Sequence, residues 1–229
     1  MISVNYKGLY GNNLFQASVA NFLAKKHNQN INNKFNSFIK THETSNPTKT
    51  HGRIIVTDNN IEDVYNQENM THDLVLNDFF QTKFCVQKIA EYNEYTNIMD
   101  KPIDATFVHI RLGDIKDKMS ISYDYYDESI RRYNNDRVII SSDSPYDELV
   151  QKLSREHGAD IFVDNIENTI MAGANCKNKI LSMGTFSWWI GFLGDKFLGD
   201  QKGFTICPKE ERSIKWHGGI FPIFDWEQI

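Results

Sequence analysis

His109, Arg111 and Asp114 fall within six residues in the stretch Phe107 to Ile115, FVHIRLGDI. A guanidinium fork matches phosphate oxygens bidentately, an imidazole beside it can share that grip, and a carboxylate can orient either group. The implied chemistry is the capture of a phosphate or diphosphate. The apolar run Phe107-Val108-His109-Ile110 reads as a buried strand that delivers these groups at its end, and Gly113 lets the backbone turn there. In an open α/β sheet, ligands bind outside the carboxyl ends of the strands. Taken alone, the stretch fits equally well a strand followed by a charged turn.

Two further strand ends carry polar residues. Ser141-Ser142-Asp143-Ser144 follows Val138-Ile139-Ile140, and Ser182 to Trp189, SMGTFSWW, follows Ile180-Leu181. Asp143 can hold a ribose or a base edge. Thr185 or Ser187 can cap the helix that begins there and leave backbone N–H groups facing an anion. Three polar ends in one parallel sheet favour a nucleotide-sized site. A fourth candidate lies at the start of the chain. Gly8 to Gln16, GLYGNNLFQ, follows a short strand from Ile2 to Tyr6 and precedes a helix for which Asn12 is the expected cap. Its two glycines lack the third of a dinucleotide fingerprint.

The positioning elements follow from periodicity. Phe15, Val19, Phe22 and Leu23 give the first helix an apolar face, with Lys25 and Lys26 near its negative end. Residues 28–52 are rich in Asn, Thr and Lys and read as surface loop. Arg53 to Thr57 reads as a strand, Ile61 to Tyr65 as one or two helical turns, and Leu74 to Tyr92 as a helix whose aromatics pack in the core. Pro102 marks a boundary. Beyond it, strands at Phe107–Ile110, Arg137–Ser141, Asp160–Val163 and Ile180–Leu181 alternate with helices at Tyr123–Tyr133, Pro145–His157, Ile166–Ala174 and from Phe186 onward. That alternation predicts a mostly parallel sheet with right-handed crossovers.

Composition narrows the class. A chain of 229 residues can build one large domain or two small ones, and 40% hydrophobic with 24% charged residues suits a globule. A net charge of -5 speaks against a nucleic-acid binder. Cys85, Cys176 and Cys207 are odd in number and widely spaced, which argues against a zinc site and a disulfide framework and for a reduced, cytoplasmic setting. The sequence shows neither a charged leader with an apolar core nor an apolar run long enough for a bilayer. Any membrane attachment is therefore expected to be peripheral or through a partner.

In their order along the chain, these stretches resemble the alpha-1,2-fucosyltransferases of glycosyltransferase family 11. GLYGNNLFQA resembles that family's opening G-x-x-G-N-Q-x-F-Q, with Asn13 in place of the glutamine. Asp78-Phe79-Phe80-Gln81 is similar to G-Y-F-Q. His109-Ile110-Arg111-Leu112-Gly113-Asp114 resembles H-x-R-R-x-D, with Leu112 at the second arginine. Ser142-Asp143 is similar to S-D-D, Phe186-Ser187-Trp188-Trp189 to the N-S-S-F-S-W-W motif, and Pro208, Pro222 and Trp226 to the closing pattern.

The resemblance implies an α/β, GT-B-like enzyme. Residues 1–102 would form an N-terminal α/β lobe on the acceptor side, and 103–229 a Rossmann-like donor-binding lobe. It implies metal-independent, inverting transfer of L-fucose from GDP-fucose to a galactoside hydroxyl in alpha-1,2 linkage, with no cofactor beyond the donor substrate. Arg111 would clamp the diphosphate, with His109 and Asp114 beside it. Gly11, Asn12, Asp143, Thr185, Phe186 and Ser187 would bind the donor. The partners are a nucleotide-sugar donor and a glycan acceptor, not nucleic acid. Transfer from another GDP-deoxyhexose, or glycan binding without catalysis, are the alternatives.

Overall fold

Each sheet of the protein is laid down by βα repeats whose helices cover apolar strands. The computed structural model describes residues 1–92, 94–97, 101–113, 121–133, 137–209, 220–221 and 224–229. Asp114 and Pro222 lie outside these residues. Contacts divide the chain into two compact units after Thr96, with Ile220 in the first and Phe221 and residues 224–229 in the second.

The first unit holds a three-stranded parallel sheet of β1 (Ile2–Val4), β2 (Arg53–Val56) and β3 (Asp73–Leu76), in the order β1-β3-β2. Helices α1 (Tyr10–His27), α2 (Ile61–Asn66) and α3 (Lys83–Tyr92) complete it. Leu14, Phe15, Val19, Phe22 and Leu23 of α1 are fully buried. The helix ends on Asn28 in the left-handed conformation, after Lys25, Lys26 and His27 in its last turn.

Two sequence expectations fail in this unit. Leu74-Val75-Leu76 is not the start of a helix but the central strand, and α3 begins only at Lys83. Phe80, fully buried with φ +58°, marks the turn between them. Five apolar residues at near-helical spacing masked a four-residue strand too short to declare a period of its own. Asn12 does not cap α1 either. Leu9 is the N-cap without a side-chain hydrogen bond, and Asn12 lies inside the helix, where its Oδ1 accepts from Gln81 Nε2 at 3.1 Å.

The second unit holds a six-stranded parallel sheet. Its strands are β4 (Ile103–Ile110), β5 (Val138–Ser142), β6 (Asp160–Ile161), β7 (Cys176–Ile180), β8 (Thr205–Cys207) and β9 (Glu227–Gln228). The order is β6-β5-β4-β7-β8-β9, so β4 sits inside the sheet with β5 and β7 as its neighbours. Helices α4 (Tyr123–Tyr133), α5 (Glu148–His157), α6 (Ile166–Asn175) and α7 (Thr185–Leu198) alternate with the strands. Reversal of strand order about the first-laid strand is the arrangement that opens a crevice at the carboxyl edge.

Alternation along β4 separates two environments. Val108, Ile110 and Leu112 join one core with Tyr125, Tyr126, Ile130, Val150 and Leu153 of α4 and α5. Phe107, His109 and Arg111 face the other way, toward α6 and α7. A methyl group on Gly173 of α6 would meet the Phe107 ring at 2.8 Å.

Caps in this unit also differ from expectation. Pro145 precedes α5 rather than opening it, because Asp147 is the N-cap and accepts from the Leu149 N–H at 3.0 Å. Neither Thr185 nor Ser187 caps α7. Gly184 does so through backbone conformation alone, at φ +118°, a value that L side chains rarely adopt.

Candidate active site

At the carboxyl edge of the second sheet, the ends of β5, β4 and β7 lie side by side. They bring Asp143, the pair His109 and Arg111, and the stretch Ser182 to Ser187 together. The three polar strand ends read from sequence are therefore neighbours in space.

Asp143 braces the end of β4. Its Oδ1 accepts the N–H of Leu112 at 2.8 Å and of Gly113 at 3.2 Å. A side chain on Gly113 would sit 2.6 Å from Oδ2, so glycine permits this approach. This carboxylate therefore anchors the backbone that carries Arg111, a task the sequence reading did not assign to it. Ser182 adds a second anchor, its Oγ accepting the Arg111 N–H at 3.3 Å.

Arg111 crosses the start of α7. A side chain on Gly184 would come within 2.6 Å of Arg111 Nη1, so the guanidinium rests against the bare N-cap. A helix N-terminus carries a partial positive charge. Guanidinium and helix end thus converge on one volume, and an anion placed there would be held by both. Thr185, Phe186 and Ser187 form the first turn of that helix.

His109 lies beneath this edge, 5% exposed. Its Nδ1 is 2.5 Å from Ser187 Oγ, which also accepts the Ser182 N–H at 3.1 Å. Its ring stacks on Phe186, with centroids 4.9 Å apart and planes inclined by 28°. Burial pushes the imidazole down to about 4; the Asp143 carboxylate opposes that change and the Arg111 guanidinium reinforces it. His109 is therefore neutral at pH 7.

This shift has a consequence for stability. Unfolded, the ring takes up a proton near pH 6.5; folded, it resists protonation down to about pH 4. Between those values the unfolded chain binds more protons, so stability rises with pH. The contribution is fully present above about pH 6.5 and is lost as pH falls toward 4, a change of roughly 3 kcal/mol. Urea midpoints at pH 7 and 4.5 check this. The wild type should lose more stability than His109→Gln over that interval, and equal losses would refute the assignment. His27 and His42, both lowered by burial, remain in each protein and cancel in the comparison.

Sequence reasoning assigned no role to Ser182, Gly184 or Tyr126. The first two stand inside the quoted SMGTFSWW run, and their tasks depend on which backbone groups they meet. Tyr126 lies fully buried behind the site. Burial, opposed by Ser182 and aided by the Asp143 carboxylate, raises its phenol above the ordinary range. Its hydroxyl is near Ser182 but makes no hydrogen bond of good geometry among the described residues. Nothing in the sequence separates it from the neighbouring tyrosines of α4.

Gly11 and Asn12 sit at the start of α1 in the first unit. Asp114 falls outside the described residues. Among those residues, no group of three or more His, Cys, Asp and Glu could hold a metal ion, and no helix is long and apolar enough to cross a membrane.

The model for glycosyl transferase family 11 matches residues 64–209, more than half of the chain. The chain belongs to glycosyl transferase family 11. No curated protein matches it. In this family 11 glycosyltransferase the matched span contains His109, Arg111, Asp143 and the whole start of α7. It begins after GLYGNNLFQA and ends before Trp226, so those two stretches rest on resemblance of residues alone.

Leu112 occupies the position at which the resembled motif has its second arginine. It is 2% exposed and packs in the core beside Val108 and Ile110. The substitution therefore takes no cation from the side of β4 that carries His109 and Arg111. It also gives no reason to read the enzyme as a non-catalytic binder.

Proposed function

We propose that this glycosyltransferase is a metal-independent, inverting fucosyltransferase that moves L-fucose from GDP-fucose to a galactoside hydroxyl in alpha-1,2 linkage. One observation carries the diphosphate part of this reading: the Arg111 guanidinium lies against the bare N-cap of α7, at the carboxyl edge of a parallel sheet. The sugar, the acceptor and the linkage rest on the resemblance of the ordered motifs.

The acceptor oxygen attacks the anomeric carbon as the bond from that carbon to the diphosphate oxygen breaks. The hydroxyl proton passes from the acceptor to solvent water, GDP departs with the bonding electron pair, and the beta-linked donor becomes an alpha-fucoside. Negative charge grows on the leaving diphosphate. Arg111 and the first turn of α7 meet it with fixed positive charge, the kind of preorganised stabilisation that acts most strongly in the transition state. Asp114 is assigned to orienting Arg111, since a carboxylate beside a clamp arginine is a poor base. Gly11 and Asn12 are assigned to donor contacts on the resemblance of GLYGNNLFQA alone.

A product-resolved transfer assay with several GDP-sugars and a panel of glycan acceptors tests this, run before and after exhaustive EDTA treatment. The expected product is a fucosyl group on the 2-hydroxyl of a galactoside, formed at the same rate after EDTA. Preference for another GDP-deoxyhexose would overturn the sugar assignment and leave the clamp standing. Activity lost to EDTA and restored by a divalent ion would replace the guanidinium account of the leaving group with metal assistance.

A further inference from the structure

Ser187 is fully buried in the first turn of α7, yet its hydroxyl does not cap the helix. Its Oγ accepts the Ser182 N–H and faces His109 Nδ1 at 2.5 Å. A serine hydroxyl has one proton to donate and two lone pairs to accept with. If Nδ1 carried the ring proton and donated to Oγ, the hydroxyl hydrogen would be left without an acceptor among the described residues, in a site with 0% exposure. An orphaned buried donor costs about 1–3 kcal/mol. With the roles reversed the hydroxyl hydrogen has its acceptor: Ser187 donates to Nδ1, and the ring proton resides on Nε2, which is not among the buried side-chain atoms left without a partner. Stacking on Phe186 holds the ring plane while the hydroxyl selects the nitrogen.

We infer that Ser187 is a positioning residue for His109, holding its imidazole as the neutral Nε2–H tautomer and so making it a fixed hydrogen-bond donor at the carboxyl edge of the second sheet. The tautomer belongs to the free protein. Its use rests on the donor reading above, in which the Nε2–H would meet a diphosphate oxygen of the leaving group. No proton changes hands in that contact, and His109 ends the reaction as it began. A neutral donor suits a place beside Arg111, because it adds a hydrogen bond without a second positive charge that would repel the guanidinium. The low proton affinity of the ring agrees with this, since doubly protonated imidazole has no tautomer to select. Ser187 therefore acts through His109 rather than on the donor directly.

Nitrogen-resolved NMR of protein carrying ¹⁵N-labelled histidine tests the inference, with His109→Asn identifying the His109 signals. The wild type should show a protonated Nε2 and a pyridine-like Nδ1. A protonated Nδ1 would overturn the inference whatever the variants do. In Ser187→Ala the tautomers should mix, and the ring pKa should rise by about one unit, because the hydrogen bond that favours the neutral form is gone. Its kcat should fall about tenfold, the equivalent of one hydrogen bond, with the donor KM nearly unchanged. Ser187→Thr keeps a hydroxyl and should restore the wild-type tautomer and pKa. An unchanged tautomer and pKa in folded Ser187→Ala would refute the role of Ser187. The NMR measurement needs no substrate, so it separates the two readings. An Nε2–H signature in a protein that transfers no GDP-sugar would support the tautomer and sink the donor assignment.

Discussion

Arg111→Ala should leave the fold intact and cut transfer by roughly a hundredfold or more, the usual cost of removing a donor aimed at charge that develops in the transition state. The side chain is only half-buried, and the backbone beneath it is held independently by Asp143 and Ser182, so truncation removes the guanidinium without freeing the end of β4. The loss should fall on kcat as well as on donor KM, because the charge on the leaving diphosphate increases as the bond to fucose breaks. Arg111→Lys should recover part of the activity, since an ammonium keeps the charge but not the fork. Arg137→Ala is the control. That arginine precedes β5 and forms an exposed ion pair with Asp160 at 2.8 Å, so its loss should leave turnover nearly unchanged. Steady-state kinetics and thermal melts on the three variants decide the matter. A folded Arg111→Ala with near wild-type turnover removes Arg111 from the mechanism.

What the sequence revealed, and what it hid, follows physical lines. The second unit was legible where its strands are apolar runs, at Phe107–Ile110 and Val138–Ile140, whereas the polar strand Cys176–Ile180 was read only at its last residue and Thr205–Cys207 and Glu227–Gln228 were not read at all. Tyr123–Tyr133 was read without error at either end. Adjacency of the three strand ends was legible too, since parallel βαβ units leave all their carboxyl ends on one edge. Strand β3 was hidden because Leu74-Val75-Leu76 runs into Phe79 and Phe80, and only the left-handed turn at Phe80 separates strand from helix. Helix starts were hidden for another reason. Asn12, Thr185 and Ser187 are good capping residues by type, but Leu9 and Gly184 occupy the cap positions, and backbone conformation chose them. The task of Asp143 was out of reach for a third reason. A carboxylate that braces a turn looks like any other in sequence, and only its distances to two backbone N–H groups reveal the brace.

Leu112→Arg tests the division of β4 most severely. The resembled motif places two arginines in a row, and a turn starting early enough would point both at one ligand. Here β4 ends at Ile110, yet Leu112 is buried in the same core as Val108 and Ile110, so the alternation of faces continues past the strand end. Asp143 holds the Leu112 and Gly113 N–H groups, and the leucine side chain packs among Val108, Ile110 and Met183. An arginine at this position would bury its charge without a partner. The expected destabilisation is about 3–5 kcal/mol, a large share of the stability of an ordinary domain. Binding of GDP, measured on whatever fraction stays folded, should be no tighter than in the wild type at either low or high salt. Leu112→Met conserves volume and should cost less than about 1.5 kcal/mol, which separates the charge from mere disturbance of packing. Denaturant melts and GDP titrations on the same preparations, at two salt concentrations, make the comparison. Tighter binding that weakens as salt rises, with little loss of stability, would place residue 112 on the ligand side after all. A large loss of stability with unchanged affinity leaves Arg111 as the only arginine of this motif that reaches the proposed diphosphate.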